Sequence, residues 1–193
     1  MKDLDLTQWR KSERARLIKE RLEISADARK SNSDRIAEQL DVAIGDLSGR
    51  VVSGYWPFRG EPDLREWLGR LESRGGRCAL PVVVYANAPL VFRIWRQGDK
   101  LERGVLDIPV PAAGEEVHPD VVIAPLVGYD RAGYRLGYGG GYFDRTLAAA
   151  PRRPLIIGVG YSQAELPTIY PEAHDIAMDR IVTERGILVP SGG

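Results

Sequence analysis

The chain of 193 residues has little of what marks the more specialised protein classes. A single cysteine, Cys78, excludes an internal disulfide framework, and with no zinc-type spacing around it a small buried residue is expected. No run of about 18 apolar residues occurs, so no membrane-spanning helix is expected. Met1 to Leu6 carry acidic residues where an export signal has a basic and then an apolar run, and a reducing cytoplasm is the expected location. Charge of one sign is also lacking. The 27 basic and 27 acidic residues cancel, which argues against a nucleic-acid binder held by bulk charge and makes any anion site local. Neither GxxxxGK[ST] nor a complete GxGxxG is present, and no repeat is visible. With 44% hydrophobic and 28% charged residues, the composition is that of one soluble domain over 1–193, with a flexible tail expected at 190–193.

What the chain does have is Arg135-Leu136-Gly137-Tyr138-Gly139-Gly140-Gly141-Tyr142-Phe143-Asp144-Arg145, in which four of eleven residues are glycine. Without Cβ atoms, successive N–H groups can turn inward as an anion-binding nest. The segment from Phe143 to Ala150, stopped by Pro151, predicts a helix whose partially positive N-terminus suits a phosphate. Arg135 and Arg145 flank the loop as phosphate partners, and Asp144 is its one carboxylate, the group that serves Mg²⁺ beside polyphosphate. A glycine-rich stretch between strand and helix also serves as a plain tight turn, and both readings stay open on these residues alone.

The N-terminal segment, 1–45, reads as a helical pair. The first helix, from about Asp5 to Glu23, has Asp5 or Thr7 as its cap, and between Trp9 and Arg21 it carries six basic residues against two acidic ones. Arg10 and Arg14 share a face, either as a solvated, ion-paired surface or as two guanidinium groups for a polyphosphate. Ser25 caps a second helix, from about Ala26 to Val42, with Ile36, Leu40 and Val42 as its apolar stripe.

From Val51 onward, strand and helix signals alternate, which predicts an α/β fold with a mainly parallel central sheet flanked by helices. Val51 to Trp56 is the first strand, followed by a loop carrying Trp56, Phe58 and Glu61 and by a helix with Leu64, Trp67, Leu68 and Leu71. Loops beyond the carboxyl ends of strands are where such sheets bind ligands, and an aromatic wall with one carboxylate suits a flat polar heterocycle. Cys78 to Val84, Leu90 to Trp95, Val121 to Pro125, Leu155 to Gly160 and Ile181 to Thr183 are further strands. Gly98 to Val117 is expected to be irregular and Leu126 to Arg131 a loop. In the turn from Glu172 to Asp179, His174 is expected in a structural hydrogen bond, with Asp175 or Asp179 joining Asp144 on Mg²⁺.

The glycine-rich stretch, Glu61 and the His174-Asp175 segment, from the basic helix to Thr183-Glu184, resemble the 5-formyltetrahydrofolate cyclo-ligase family, also called 5,10-methenyltetrahydrofolate synthetase. The resemblance implies an ATP- and Mg²⁺-dependent closure of 5-formyltetrahydrofolate, which can carry a polyglutamate tail, by a monomer with no nucleic-acid or membrane partner. It implies ATP contacts from Arg10, Lys11, Arg14 and the run Arg135, Leu136, Gly137, Tyr138, Gly139, Gly140, Gly141, Tyr142 and Phe143. Folate would face Trp56, Glu61 and residues Tyr138 to Tyr142; Asp144 and Asp175 would hold Mg²⁺; Arg145 and Tyr142 would stand at the reacting groups. Asp144 and Arg14 are expected to be exposed at the site. A diverged nucleotide-binding paralogue acting on another substrate and a non-catalytic folate-binding protein are the alternatives.

Overall fold

The computed structural model describes residues 5–190; residues 191–193 of the tail expected at 190–193 and the start of the chain at 1–4 lie outside the described residues. Helix α1 (Leu6–Leu22) begins where the Asp5 carboxylate accepts the Gln8 N–H at 3.1 Å. Helix α2 (Ala26–Ile44) begins at Ser25, whose hydroxyl accepts the Ala28 N–H at 3.2 Å. Ile36, Leu40 and Ile44 fall four residues apart and are buried along one line of α2. Val42 lies off that line and is 72% exposed, so the expected stripe is corrected at that residue.

The strands are short. In chain order they are β1 (Val51–Ser53), β2 (Arg77–Val82), β3 (Val91–Ile94), β4 (Leu101–Arg103), β5 (Pro109–Pro111), β6 (Glu116–Val117) and β7 (Val121–Pro125). They continue with β8 (Gly128–Asp130), β9 (Arg135–Leu136), β10 (Leu155–Val159), β11 (Glu165–Leu166), β12 (Arg180–Thr183) and β13 (Gly186–Leu188). Two further helices are brief, α3 (Arg65–Gly69) and α4 (Tyr142–Ala148).

Eight strands form the main sheet in the order β13-β12-β10-β7-β1-β2-β3-β6. The centre, from β12 to β2, is parallel, and β13, β3 and β6 join antiparallel at the edges. Side chains alternate across this sheet with a period of two. Val121 and Ile123 pack on the face covered by α2 and α3, with Val52, Leu80, Ile157 and Val182; Val122 and Ala124 pack on the face of Leu17 from α1 and Leu147 from α4. Burial on both faces accounts for the continuous apolar runs of β7 and β10. The α/β architecture with a mainly parallel sheet and an N-terminal helical pair is as expected.

Three segments differ from expectation. Gly128 to Asp130, within the expected loop, is a buried strand, and β11, β8 and β9 form a small second sheet. Gly98 to Val117 holds the β4–β5 hairpin and the edge strand β6. The glycine-rich stretch begins as strand β9, and its helix α4 starts at Tyr142 and ends at Ala148, short of Ala150.

From β1 the chain builds outward in both directions, to β2 on one side and to β7 on the other. The crevice beyond the carboxyl ends of β1 and β7 is thus the switch point of an open parallel sheet, where ligands bind.

Candidate active site

A cavity of about 460 Å³ occupies that crevice. Its floor is the ends of the strands, Tyr55 and Trp56 after β1, Pro81 and Val83 at β2 and Pro125 at β7. The continuous loop Arg135 to Asp144 forms one side, Arg10 and Arg14 reach in from α1, and Asp175 and His174 close an end. Leu90 adds to the lining, and Val105, Leu106, Ile108 and Val110 add an apolar wall that sequence reasoning missed, because Gly98 to Val117 was expected to be irregular. A larger cleft of about 1150 Å³ lies between α2 and residues 56–70 and shares Trp56 and Glu61 with the first. Its charges are largely matched within the chain, as in Lys30–Asp34, Arg65–Asp63 and Arg70–Glu66. The smaller cavity is the candidate site because the glycine loop, Arg10, Arg14, Asp144 and Asp175 meet there.

The glycine loop leaves its donors open. None of the backbone N–H groups from Gly137 to Gly141 donates a hydrogen bond among the described residues. Gly139 and Gly141 take left-handed φ of 96° and 62°, which residues with a Cβ rarely adopt. At Gly141 a Cβ would also lie 2.8 Å from Arg145 Nη1. Arg14 Nε donates to the Gly137 carbonyl at 2.7 Å, which fixes the guanidinium over the loop, and its two terminal nitrogens donate to nothing among the described residues. Burial and the neighbouring Arg10 hold the Arg14 guanidinium below its ordinary pKa, against the opposing pull of Asp175, so an added anion would be welcome there.

The remaining charged groups are more committed. Arg10 bridges Asp175 Oδ2 at 2.6 Å, Glu172 Oε2 at 3.1 Å and the Tyr170 carbonyl at 2.8 Å. Burial acts to raise the Asp175 carboxyl, but the Glu172 amide and Arg10 outweigh it and hold it below the usual carboxylate range. Arg135 grips Asp144 through both terminal nitrogens, at 3.1 and 2.9 Å, and Asp144 Oδ1 also accepts the Ile176 N–H at 3.2 Å. Asp144, expected to be exposed, has a side chain only 15% exposed and forms a largely buried ion pair with Arg135, whose side chain is 5% exposed; Arg14, also expected to be exposed, is half-buried. Arg145 Nη2 donates to the Gly140 carbonyl at 2.5 Å and lies over the Tyr142 ring at 5.1 Å, bracing the turn. Lys11 is exposed and outside the cavity lining. His174 is 70% exposed, 4.0 Å from both Glu172 and Asp175, and makes no hydrogen bond among the described residues, so the expected structural role is absent. Asp179 instead accepts the Ile156 N–H at 2.7 Å and pairs with Arg153, away from the lining.

Glu61 and Tyr138 meet at the junction of the two cavities. Glu61 Oε2 accepts the Phe58 N–H at 2.9 Å, while Oε1 is buried with no hydrogen-bond partner. Burial pushes its carboxyl from 4.5 up to about 7, opposed by Arg21, the Phe58 amide and the Tyr138 hydroxyl. The Tyr138 hydroxyl accepts from Arg21 at 2.5 Å and donates to the Phe58 carbonyl at 3.4 Å, and its ring stands 5.7 Å from Phe58. Arg21 also donates to the Arg59 and Leu126 carbonyls. Sequence reasoning counted Arg21 only among the basic residues of the first helix, without a role.

Asp144 and Asp175 suit Mg²⁺ in kind, since both are hard oxygen donors on the cavity wall. Asp175 Oδ1 accepts no hydrogen bond among the described residues, and Asp144 Oδ2 accepts one, from Arg135. Among the described residues, Glu172, His174 and Asp175 also bring ligand atoms within 4.8 Å of one another.

An α/β protein with an open glycine loop at the switch point of its sheet is the class that fold and site define. The model of the 5-formyltetrahydrofolate cyclo-ligase family matches residues 6–184, and the chain belongs to that family. A Mycolicibacterium smegmatis protein named 5-formyltetrahydrofolate cyclo-ligase is 36% identical over 151 residues, 74% of this chain and 78% of its own. The solution structure of the Aquifex aeolicus 5,10-methenyltetrahydrofolate synthetase is similar with a TM-score of 0.81 at 28% identity, covering 95% of this chain and 94% of that one. The Mycoplasma pneumoniae 5,10-methenyltetrahydrofolate synthetase shares the fold, with a TM-score of 0.74 at 20% identity over 91% and 98% of the two chains. No described helix is long and apolar enough to cross a membrane.

Proposed function

We propose that this protein closes 5-formyltetrahydrofolate to 5,10-methenyltetrahydrofolate, consuming ATP in the presence of Mg²⁺ and releasing ADP and phosphate. The observation that carries the reading is the run of undonated N–H groups from Gly137 to Gly141 beneath the uncommitted end of Arg14. Five adjacent donors and a guanidinium fork in one crevice match a polyphosphate.

The chemistry asks mainly for positioning. A formamide oxygen is a poor leaving group, and transfer of the γ-phosphoryl to it makes the formyl carbon electrophilic enough for attack by N10. Such transfer depends on alignment and on neutralising charge, so the chain needs no nucleophilic side chain of its own. Arg14 and the loop amides bind and orient the phosphates, and the Tyr138 and Phe58 rings with Trp56 form the flat wall for the pterin. Arg145 braces the Gly140 turn and Tyr142, keeping the loop in the shape that presents its amides. Asp144 and Asp175 are the residues that would hold Mg²⁺, which when bound screens the phosphate charge. Arg10 sets Asp175 in place, and Arg135 does the same for Asp144. Val105, Leu106 and Ile108 give the reacting groups an apolar wall.

Burial raises the Cys78 thiol to about 12, which keeps it unreactive. Mixing protein, 5-formyltetrahydrofolate and Mg²⁺ with and without ATP tests the reading by the absorbance of the methenyl product. An ATP-dependent rise is expected; a flat trace from folded, ATP-binding protein would favour a diverged paralogue.

A further inference from the structure

Arg21, in the last turn of α1, is 5% exposed and contributes nothing to the cavity lining, yet its three guanidinium nitrogens reach three separate segments that build the cavity. Nε donates to the Arg59 carbonyl at 2.9 Å, in the loop after β1. Nη1 donates to the Leu126 carbonyl at 3.3 Å, directly after β7. Nη2 donates to the Tyr138 hydroxyl at 2.5 Å, in the glycine loop. The first two segments follow the strand ends that define the switch point, so one side chain ties both of them to the glycine loop from behind the lining.

All three acceptors are neutral oxygens. A buried guanidinium is normally matched by a carboxylate, and one that is committed to two carbonyls and a phenol fixes positions rather than neutralising a charge. Glu61 feels the charge of Arg21 without accepting a hydrogen bond from it. The turn that Arg21 holds is one that needs holding. Arg59 and Gly60 are consecutive left-handed residues, with φ of 47° and 77°, and at Arg59 that conformation carries a steric cost that a glycine escapes. The turn closes where the Glu61 N–H donates to the Phe58 carbonyl at 3.1 Å. The Tyr138 hydroxyl donates to that same carbonyl, and the two rings pack against each other, so Tyr138 is where the glycine loop meets the loop after β1.

We propose that Arg21 is a positioning residue that sets Tyr138, and with it the glycine loop, against the folate wall. The proposal rests on the cyclisation reading above and deepens it. Tyr138 belongs to both halves of the site: its ring stands beside Phe58 on the pterin wall, and its backbone lies among the undonated N–H groups of the phosphate cradle. A shift of this one residue loosens both halves at once, although no ligand in the cavity touches Arg21. The γ-phosphoryl group and the formyl oxygen must meet across the same junction, where a misplacement of about 1 Å can cost 10²-fold in rate.

A double-mutant cycle separates this role from ordinary scaffolding. Arg21→Met keeps an apolar stem and removes every donor, whereas Tyr138→Phe keeps the ring and removes the hydroxyl that Arg21 holds. Wild type, both single variants and the double variant are compared for 5-formyltetrahydrofolate affinity by quenching of tryptophan fluorescence, for ADP affinity by calorimetry, and for kcat. Arg21→Met should weaken each ligand about tenfold and lower kcat by about 10-fold to 100-fold. In the Tyr138→Phe background the same change should cost at least about fivefold less, because the tie it breaks is already gone. Leu40→Ala, destabilised away from the cavity lining, is the control and keeps all three values. Arg21→Lys, which retains the charge without the planar fork, should recover part of the loss and serves in the same cycle if Arg21→Met does not fold. Equal losses from the Arg21 change in both backgrounds, or values within twofold of wild type, would overturn the proposal and leave the cyclisation reading intact. A wild type that binds both ligands and makes no methenyl product would sink the cyclisation reading, while the two affinities still decide the proposal. A wild type that binds neither ligand would remove both.

Discussion

The buried carboxyl of Glu61 should cost the fold stability, and that cost can be measured without any substrate. In the unfolded chain Glu61 ionises near 4.5, whereas in the folded protein burial holds its proton up to about 7. The folded state therefore binds the proton more tightly. Its stabilising effect is full below about pH 4.5, declines as pH rises between these two values and is gone above about 7. A gap of about 2.5 pKa units corresponds to roughly 3 kcal/mol, a large share of the 5–15 kcal/mol that holds a typical domain folded. In Glu61→Gln this ionisation is missing, while every other titrating group is retained. Urea unfolding of both proteins, followed by tryptophan fluorescence from pH 5 to about 8.5, isolates the term. The stability of Glu61→Gln minus that of wild type should increase by roughly 2.5 kcal/mol across this range. A difference that stays flat with pH would show that the carboxyl is solvated in the folded protein and would refute the reasoning from its burial.

Other perturbations separate the site from the scaffold. Arg14→Ala removes one hydrogen bond, to the Gly137 carbonyl, so it should cost only about 0.5–1.5 kcal/mol in unfolding while raising the KM for ATP at least tenfold. Asp144→Ala strands Arg135 in a buried position and should cost about 3–5 kcal/mol as well as turnover; a loss of turnover with unchanged stability would contradict the observed pairing. Leu40→Ala, deep under α2, should cost about 2–5 kcal/mol in the same assay and leave the KM values of the folded enzyme unaltered.

The elements that were legible in the sequence are those whose signals are local. Asp5 and Ser25 stand directly before helical runs and cap them, and the unbroken apolar residues of β7 and β10 declare strands buried on two faces. The small sheet of β11, β8 and β9 was not legible, because strands of two or three residues carry no periodicity and Glu165 pairs with Tyr129 across a long separation. At the site, the glycine loop and the α1 arginines could be named from residue type. What type does not disclose is which partner each charge has. Arg135 and Asp144 were read as a phosphate ligand and a metal ligand, and the structure joins them to each other nine residues apart. Glu61 was read as one carboxylate beside an aromatic wall; the groups that act on it include Arg21 and Tyr138, which only the fold brings to it from distant segments.

The most direct test of the central claim follows two products in one reaction, methenyltetrahydrofolate by its absorbance and ADP by a coupled assay, with 5-formyltetrahydrofolate, ATP and Mg²⁺ present. One ADP for each methenyl ring closed, with neither formed when any one of the three is withheld, is the predicted result. ADP released without methenyl product, or methenyl product formed without ATP, would contradict a site in which phosphoryl transfer from ATP drives the closure.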